Sequence, residues 1–319
     1  MHHSRVNSSA DADATATAPP QTALVLVSHG PSAHLRLADG TPVLARAAGR
    51  DLQFVCGDEV QCRYDARHAQ WQIQAVLPRR SALHRSNARG RPELIAANLT
   101  MLVVVVAPRP VPDLFLVDRY LAAAACAGIG ALLLANKADQ EYAEPLRVEL
   151  AALAAAACEL IYCSAHTGLG MASLRERLRN ETVMLAGQSG VGKSSLLQAL
   201  VPGSDALIGE LLRSDEGRHT TSSAHLYALP GGGSLIDSPG VRDFAPAVDM
   251  LEPRTLGFSE IAQRAAQCRF ADCQHEREPD CAVLAAVTAG VIDARRYESY
   301  RRLRRLRERL QELTPYARR

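Results

Sequence analysis

The sequence predicts three domains in series: a small β-barrel, an α/β domain built around a phosphate-binding loop, and a helical domain organised by a metal cluster. Three observations carry this expectation. Short strand-like runs punctuated by Gly, Pro, Asp and Asn fill Ala23 to Val76. An apolar run, a glycine loop and the start of an amphipathic helix follow one another from Val183 to Leu200. Three cysteines and a histidine gather within 14 residues, from Cys268 to Cys281. At 319 residues the chain is long enough for two or three domains, and an apolar content of 47% is enough to give them cores. The expected boundaries are 1–21 for a disordered N-terminal segment, 22–92 for the barrel and a basic linker, 93–247 for the α/β domain, and 248–319 for a zinc-binding domain ending in a basic helix.

Bulk properties exclude several classes. The net charge is +2, so contact with nucleic acid has to come from local patches. No run of 18 apolar residues predicts a membrane span, and the N-terminus lacks the pattern of a secretory leader. Eight cysteines in that setting point to a reducing cytoplasm, with thiols or metal ligands in place of disulfides. Of 36 basic Lys and Arg residues only two are lysine, Lys137 and Lys193. Both fall in the motifs described next.

In chain order, Ala23–Val27, His34–Leu37, Thr41–Ala45, Asp58–Tyr64 and Trp71–Val76 read as five short strands. An OB-like barrel is one architecture they fit, and a generic β-domain is another. Arg79 to Pro92 holds five arginines and no acid. It reads as a linker or as a contact for a phosphate backbone. From Met101 onward the pattern alternates: strand Met101–Val106, helix Asp113–Ala127, strand Ala131–Ala135, helix Glu144–Ala157, strand Leu160–Cys163, helix Met171–Leu178, strand Val183–Ala186. Such alternation predicts a mainly parallel sheet with helices on both faces. Ala224–Leu229 and Ser234–Asp237, joined through Pro230 to Gly233, read as a hairpin added to that sheet.

Gly187-Gln188-Ser189-Gly190-Val191-Gly192-Lys193-Ser194 fits G-x-x-x-x-G-K-[ST], and Ser195 follows. The glycines let backbone N–H groups line a concave ring facing phosphate oxygens, and the helix N-terminus adds its dipole. Lys193 is placed to reach the β- and γ-phosphates, and the Ser194 hydroxyl to sit on Mg²⁺. Asn136-Lys137-Ala138-Asp139 follows a strand and fits N-K-x-D. The Asp139 carboxylate can accept from the N1–H and amino group of guanine, donors that adenine does not offer there, which argues against a general ATPase. The Lys137 stem can cover the base plane, and Asn136 can brace neighbouring loops. Ser164-Ala165 ends the next strand and fits the Ser-Ala element that supports the guanine oxygen. Asp237-Ser238-Pro239-Gly240 fits D-x-x-G, with Asp237 reaching Mg²⁺ through water and Gly240 sensing the γ-phosphate. Between them lies Gly217-Arg218-His219-Thr220-Thr221, where Thr221, or Thr220, is the candidate switch I ligand and His219 a candidate catalytic group.

The guanine motif therefore precedes the phosphate loop, the reverse of the ordinary order, which defines a circular permutation. In this order the motifs resemble the circularly permuted, small-ribosomal-subunit-dependent GTPases of the RsgA (YjeQ) type, over about residues 22–319. The resemblance implies an OB-like barrel, a circularly permuted α/β P-loop GTPase domain and an α-helical zinc-binding domain. It also implies a monomeric cytoplasmic GTPase that binds GTP and GDP, with the small ribosomal subunit and its rRNA as partners, in late subunit maturation.

Cys268, Cys273, His275 and Cys281 offer four S/N ligands, the set of a closed structural Zn²⁺ site. The spacing matches the zinc domain of the same family. Cysteines 56, 62, 126, 158 and 163 are scattered and read as small apolar residues. After the cluster, Tyr297, Tyr300, Leu303, Leu306, Leu310 and Leu313 form one helical stripe. Arg295, Arg296, Arg301, Arg302, Arg304, Arg305, Arg307 and Arg309 crowd the other faces, as a contact for rRNA phosphates. The position after D-x-x-G is Val241, which cannot orient water as the glutamine of Ras-like enzymes does, so hydrolysis is expected to be slow until a partner completes the site. A GTP-switched regulator of a non-ribosomal protein is the alternative, marked by partner binding that ignores salt and RNA.

Overall fold

The computed structural model describes residues 19–87, 91–203, 224–238 and 246–313. Five strands, β1 (Gln21–His29), β2 (Ser32–Leu37), β3 (Pro42–Ala47), β4 (Glu59–Asp65) and β5 (Gln70–Val76), form the N-terminal unit. They run in the order β1-β2-β3-β5-β4 and close through a β1–β4 pairing. Only β3–β5 is parallel among these pairings. Closure leaves the barrel without a free edge. Alternate residues point inward, so Val25, Leu35, Val60, Cys62 and Ile73 fill a core of their own.

The stretch expected to be a basic linker contains strand β6 (Ala82–Ser86), which pairs with β7 (Pro92–Ala97) as a separate hairpin. Its arginines are largely spoken for. Arg79 forms a 2.7 Å ion pair with the fully buried Asp58, Arg80 pairs with Glu59 at 2.9 Å, and Arg85 with Glu93 at 3.0 Å. All three acids lie outside the window that looked purely basic.

The central sheet runs β10 (Glu159–Tyr162), β9 (Gly130–Ala135), β8 (Met101–Val106), β11 (Thr182–Ala186), β13 (Ser234–Asp237), β12 (His225–Ala228). All neighbours are parallel except the β12–β13 hairpin. One bridge, Val27 to His225, joins this sheet to the barrel. β8 is buried along its whole length and serves two cores. Leu102, Val104 and Val106 face helices α1 (Leu114–Cys126) and α2 (Glu144–Ala157), while Met101, Val103 and Val105 face α3 (Met171–Arg177) and α4 (Lys193–Leu200). Strand order reverses between β8 and β11, so the loops leaving these two strands open a crevice at their carboxyl ends.

The C-terminal helices α5 (Ser259–Ala265), α6 (Ala282–Thr288) and α7 (Ala294–Leu313) share the core on the α1–α2 face. Tyr297, Tyr300 and Leu303 of the predicted stripe are buried there, and Leu306 and Leu310 pack against it. Arg295 and Arg296 are turned inward and do not form part of an RNA-facing surface. Asp118 on α1, itself 1% exposed, accepts 2.7 Å bonds from both guanidiniums. Arg296 also pairs with Glu260, and Arg295 with Glu149. Arg302 lies over the Phe115 ring, 4.2 Å from its centre. Arg302, Arg305 and Arg309 are exposed. No helix among the described residues is long and apolar enough to cross a membrane.

Candidate nucleotide site and metal centre

The glycine loop after β11 has the conformation its residue types demand. Gly187, Gly190 and Gly192 have φ of +143°, +81° and +96°. Two of these positions also exclude a side chain. A Cβ on Gly187 would fall 2.3 Å from the Val105 carbonyl oxygen, and one on Gly192 2.4 Å from the Asn136 amide nitrogen. Lys193 is 7% exposed, and its Nζ donates to the Gly187 and Gln188 carbonyls at 2.6 and 2.7 Å. The ammonium is thus held within the loop. Helix α4 starts at Lys193 without a side-chain cap, and the positive end of its dipole faces the loop. Gln188 leans outward, and its Oε1 accepts from the Asp113 N–H at 2.8 Å. Asp113 caps α1 in turn, accepting from Phe115 and Leu116.

The N-K-x-D turn meets this loop directly. Asn136, 2% exposed, donates from Nδ2 to the Val191 carbonyl at 2.9 Å. Its Oδ1 accepts from the Ala165 N–H at 3.2 Å and from the Cys163 thiol at 3.7 Å. Lys137 Nζ donates to Gly190 O at 2.7 Å and Arg109 O at 2.9 Å, which stretches its stem across the gap between the loops. Ala138 N donates to Cys163 O at 2.9 Å. A hydrogen bond from the Ser164 hydroxyl is the main influence holding the exposed Asp139 carboxyl below its usual range. Asp139 is therefore an ionised acceptor at neutral pH.

Asp237 ends β13, whose residues Leu235 and Ile236 pair with Val183 and Met184 of β11. Its carboxylate thus stands one strand away from the glycine loop. Ser189, Ser194 and Ser195 are exposed along that loop. His219, Thr220, Thr221, Gly240 and Val241 lie outside the described residues.

Two features escaped the sequence reading. Cys163 touches the Asn136 amide and so is more than apolar filler. The loop Ala107–Asp113 lines the mouth of the crevice, with Pro110 against Gly190. Its Pro-Arg-Pro-Val-Pro run after a buried strand was the available signal.

In the C-terminal domain the four predicted ligands converge, with all ligand atoms within 4.8 Å of one another. Cys268 Sγ and Cys281 Sγ are 3.9 Å apart and each is 3.5 Å from His275 Nδ1. Tetrahedral bonds of about 2.3 Å call for sulfur separations of about 3.8 Å. All three thiols are free, and burial lowers the His275 pKa, favouring the neutral imidazole that ligates. The donor set therefore fits one ion of zinc type. The loop is supported from both sides. Tyr297 OH donates to His275 O at 2.6 Å, and Leu284 N donates to Cys281 Sγ at 3.5 Å. Burial opposes ionisation of Glu278, but N–H groups from Gln274, Arg277 and Glu276 hold its carboxyl down at about 2.

A glycine loop of P-loop pattern and an N-K-x-D turn at the switch point of a parallel sheet, with the second preceding the first in sequence, are the layout of a circularly permuted P-loop GTPase. Known proteins agree. The pattern of the RsgA GTPase family matches residues 76–246. The small ribosomal subunit biogenesis GTPase RsgA of Pseudomonas aeruginosa is 42% identical over 289 residues, covering 89% of this chain and 85% of its own. That of Ectopseudomonas mendocina is 45% identical over 255 residues, covering 78% and 74%. The chain belongs to the RsgA GTPase family. Among solved structures, YjeQ from Thermotoga maritima superimposes with a TM-score of 0.71 at 27% identity, covering 91% of this chain and 99% of its own. YloQ, a circularly permuted GTPase, shares the fold with a TM-score of 0.69 at 21% identity, covering 96% and 100%.

Proposed function

We propose that this GTPase acts in late maturation of the small ribosomal subunit, slowly alone and faster on the subunit, as a cytoplasmic monomer that contacts rRNA. The observation that carries the site assignment is Asn136. One buried amide ties the guanine turn to both the phosphate loop and the Ser-Ala loop, so base and phosphate recognition are one rigid unit. The names of the relatives supply the ribosomal partner and favour it over a non-ribosomal regulator.

In this reading Asp139 accepts from the guanine N1–H and amino group, and the Lys137 stem covers the ring. Ser164-Ala165 supports the guanine oxygen. Gly187 to Ser195 cradle the phosphates, and Lys193 neutralises charge developing on the transferred phosphoryl group. Ser194 and Asp237 hold Mg²⁺, which when bound supplies further charge neutralisation at the phosphates. Thr221 or Thr220, Gly240 and His219 are assigned to the switch segments on sequence grounds. Cys268, Cys273, His275 and Cys281 form a closed structural zinc site, because four N/S donors leave no position for a substrate.

Helix α1 supports a route between the ends of the molecule. It meets the phosphate loop at Asp113, holds the Pro246 carbonyl through Arg119 at 3.2 Å, and engages α7 at Asp118. Pro246 closes the segment that begins with D-x-x-G, so nucleotide state is passed through α1 to the arginine-bearing helix. Hydrogen exchange over 246–303 that is the same with GTP and GDP would count against that route.

The experiment that tests the function is GTP hydrolysis with and without small ribosomal subunits, with ATP as control. Strong stimulation confined to GTP supports the reading. Tight GTP binding without stimulation removes the ribosomal partner and leaves the GTPase.

A further inference from the structure

We infer that Tyr142 is a positioning residue for guanine recognition: its hydroxyl holds the N-K-x-D turn in the shape that aims Asp139. Lys137 has φ +60°, a left-handed conformation that a residue with a Cβ adopts only when its surroundings enforce it. The enforcement comes from the carbonyl just before it. Tyr142 OH donates to Asn136 O at 2.5 Å and lies 3.4 Å from Val106 O, the last residue of β8. The Tyr142 ring is 8% exposed and stands edge-on to Tyr162, centroids 5.5 Å apart. The ring is thus fixed by β10 and the hydroxyl by the end of β8. Asn136 N bonds Val106 O, Ala138 N bonds Cys163 O and Gln140 N bonds Lys137 O, so every other main-chain bond of the turn is local or runs to a strand end. Among the described residues, the Tyr142 hydroxyl is the group that holds the peptide plane between Asn136 and Lys137 from its carbonyl side. Rotation of that plane swings Asp139, two residues on and exposed, relative to Lys137. Burial also raises the Tyr142 pKa, so the hydroxyl remains a donor.

The inference rests on the guanine-reading role of Asp139, and the test separates the two. GDP and inosine diphosphate differ by the 2-amino group, one of the two donors Asp139 accepts. In the full chain, Tyr142→Phe keeps the ring and removes the hydrogen bond. It is expected to weaken GDP binding about tenfold by calorimetry, the scale of a buried acceptor left unpaired, and to shrink the preference for GDP over inosine diphosphate. Tyr162→Leu, which loosens ring packing but spares the hydroxyl, is expected to keep the preference. A merely structural Tyr142 would lower the melting temperature and weaken both nucleotides equally. That outcome, or GDP binding within twofold of the parent, overturns the inference. If the parent itself shows no preference for GDP, the reading of Asp139 fails instead.

Discussion

The nucleotide site and the metal centre are built in opposite ways. The metal centre takes four ligands from one stretch, Cys268 to Cys281. The nucleotide site is closed by bonds that skip far along the chain: Asn136 to Val191, Lys137 to Gly190, Asp113 to Gln188. The first depends on local sequence. The second depends on which strands lie side by side, whatever their order in the chain. A sheet that sets β8 beside β11 makes the same crevice whether the guanine turn precedes or follows the phosphate loop. The site that survives permutation is therefore the one made of long-range contacts.

That contrast can be broken from either side. The largest effect belongs to the metal. Cys281→Ala removes one of four donors from a kind of site worth about 10–16 kcal/mol. Mass spectrometry should show loss of the ion, and hydrogen exchange should rise over 268–281, with GDP binding retained within about twofold, the spread allowed for independent sites. Loss of GDP binding as well would mean that the two regions are not separable. Asp118→Ala comes next. It takes one carboxylate from each guanidinium and leaves Arg296 with Glu260 and Arg295 with Glu149, so the cost stays below the roughly 3–5 kcal/mol of a buried charge with no partner. It should lower the denaturant midpoint of the C-terminal helices while the β8–β11 pairing stays protected. Lys193→Ala should cut hydrolysis by about 10²–10³, the usual loss on removing a preorganised charge donor, with little change in melting temperature. Asp139→Asn should lower GTP affinity by about tenfold to a hundredfold and favour xanthosine triphosphate, whose 2-oxygen accepts where guanine donates. Smallest are Arg305→Ala and Arg309→Ala. Each should reduce the salt slope of RNA binding by about one, since each removes about one phosphate contact.

Legibility followed the same division. Wherever a feature is written in consecutive residues, its local shape was legible: the glycine loop and the N-K-x-D turn follow strands as expected, the four Cys and His side chains converge, and the five barrel strands are shifted by a few residues at their ends. The reading slipped where the partner is remote. Arg295 and Arg296 looked like part of an RNA-facing surface because Asp118, Glu149 and Glu260 are far away in the chain. Arg79 to Pro92 looked like a linker because Asp58 and Glu59 lie far upstream of it and Glu93 just beyond it. Tyr142 gave no signal at all. A lone tyrosine between Glu141 and Ala143 acquires meaning only when β8 and β10 close around it.

The inward pair of arginines also bears on how this protein can be taken apart. A fragment ending before Ala294 would keep every residue assigned to the nucleotide. It would also leave Asp118 without the two cations that now cover and pair with it. Beside it would lie the apolar floor on which Tyr300 and Leu303 now rest. Such a fragment is an open wound, not a smaller enzyme, and its poor behaviour would say nothing about catalysis. The last helix, whose Leu306 and Leu310 also pack against that core, therefore belongs in any piece expressed to study the nucleotide site.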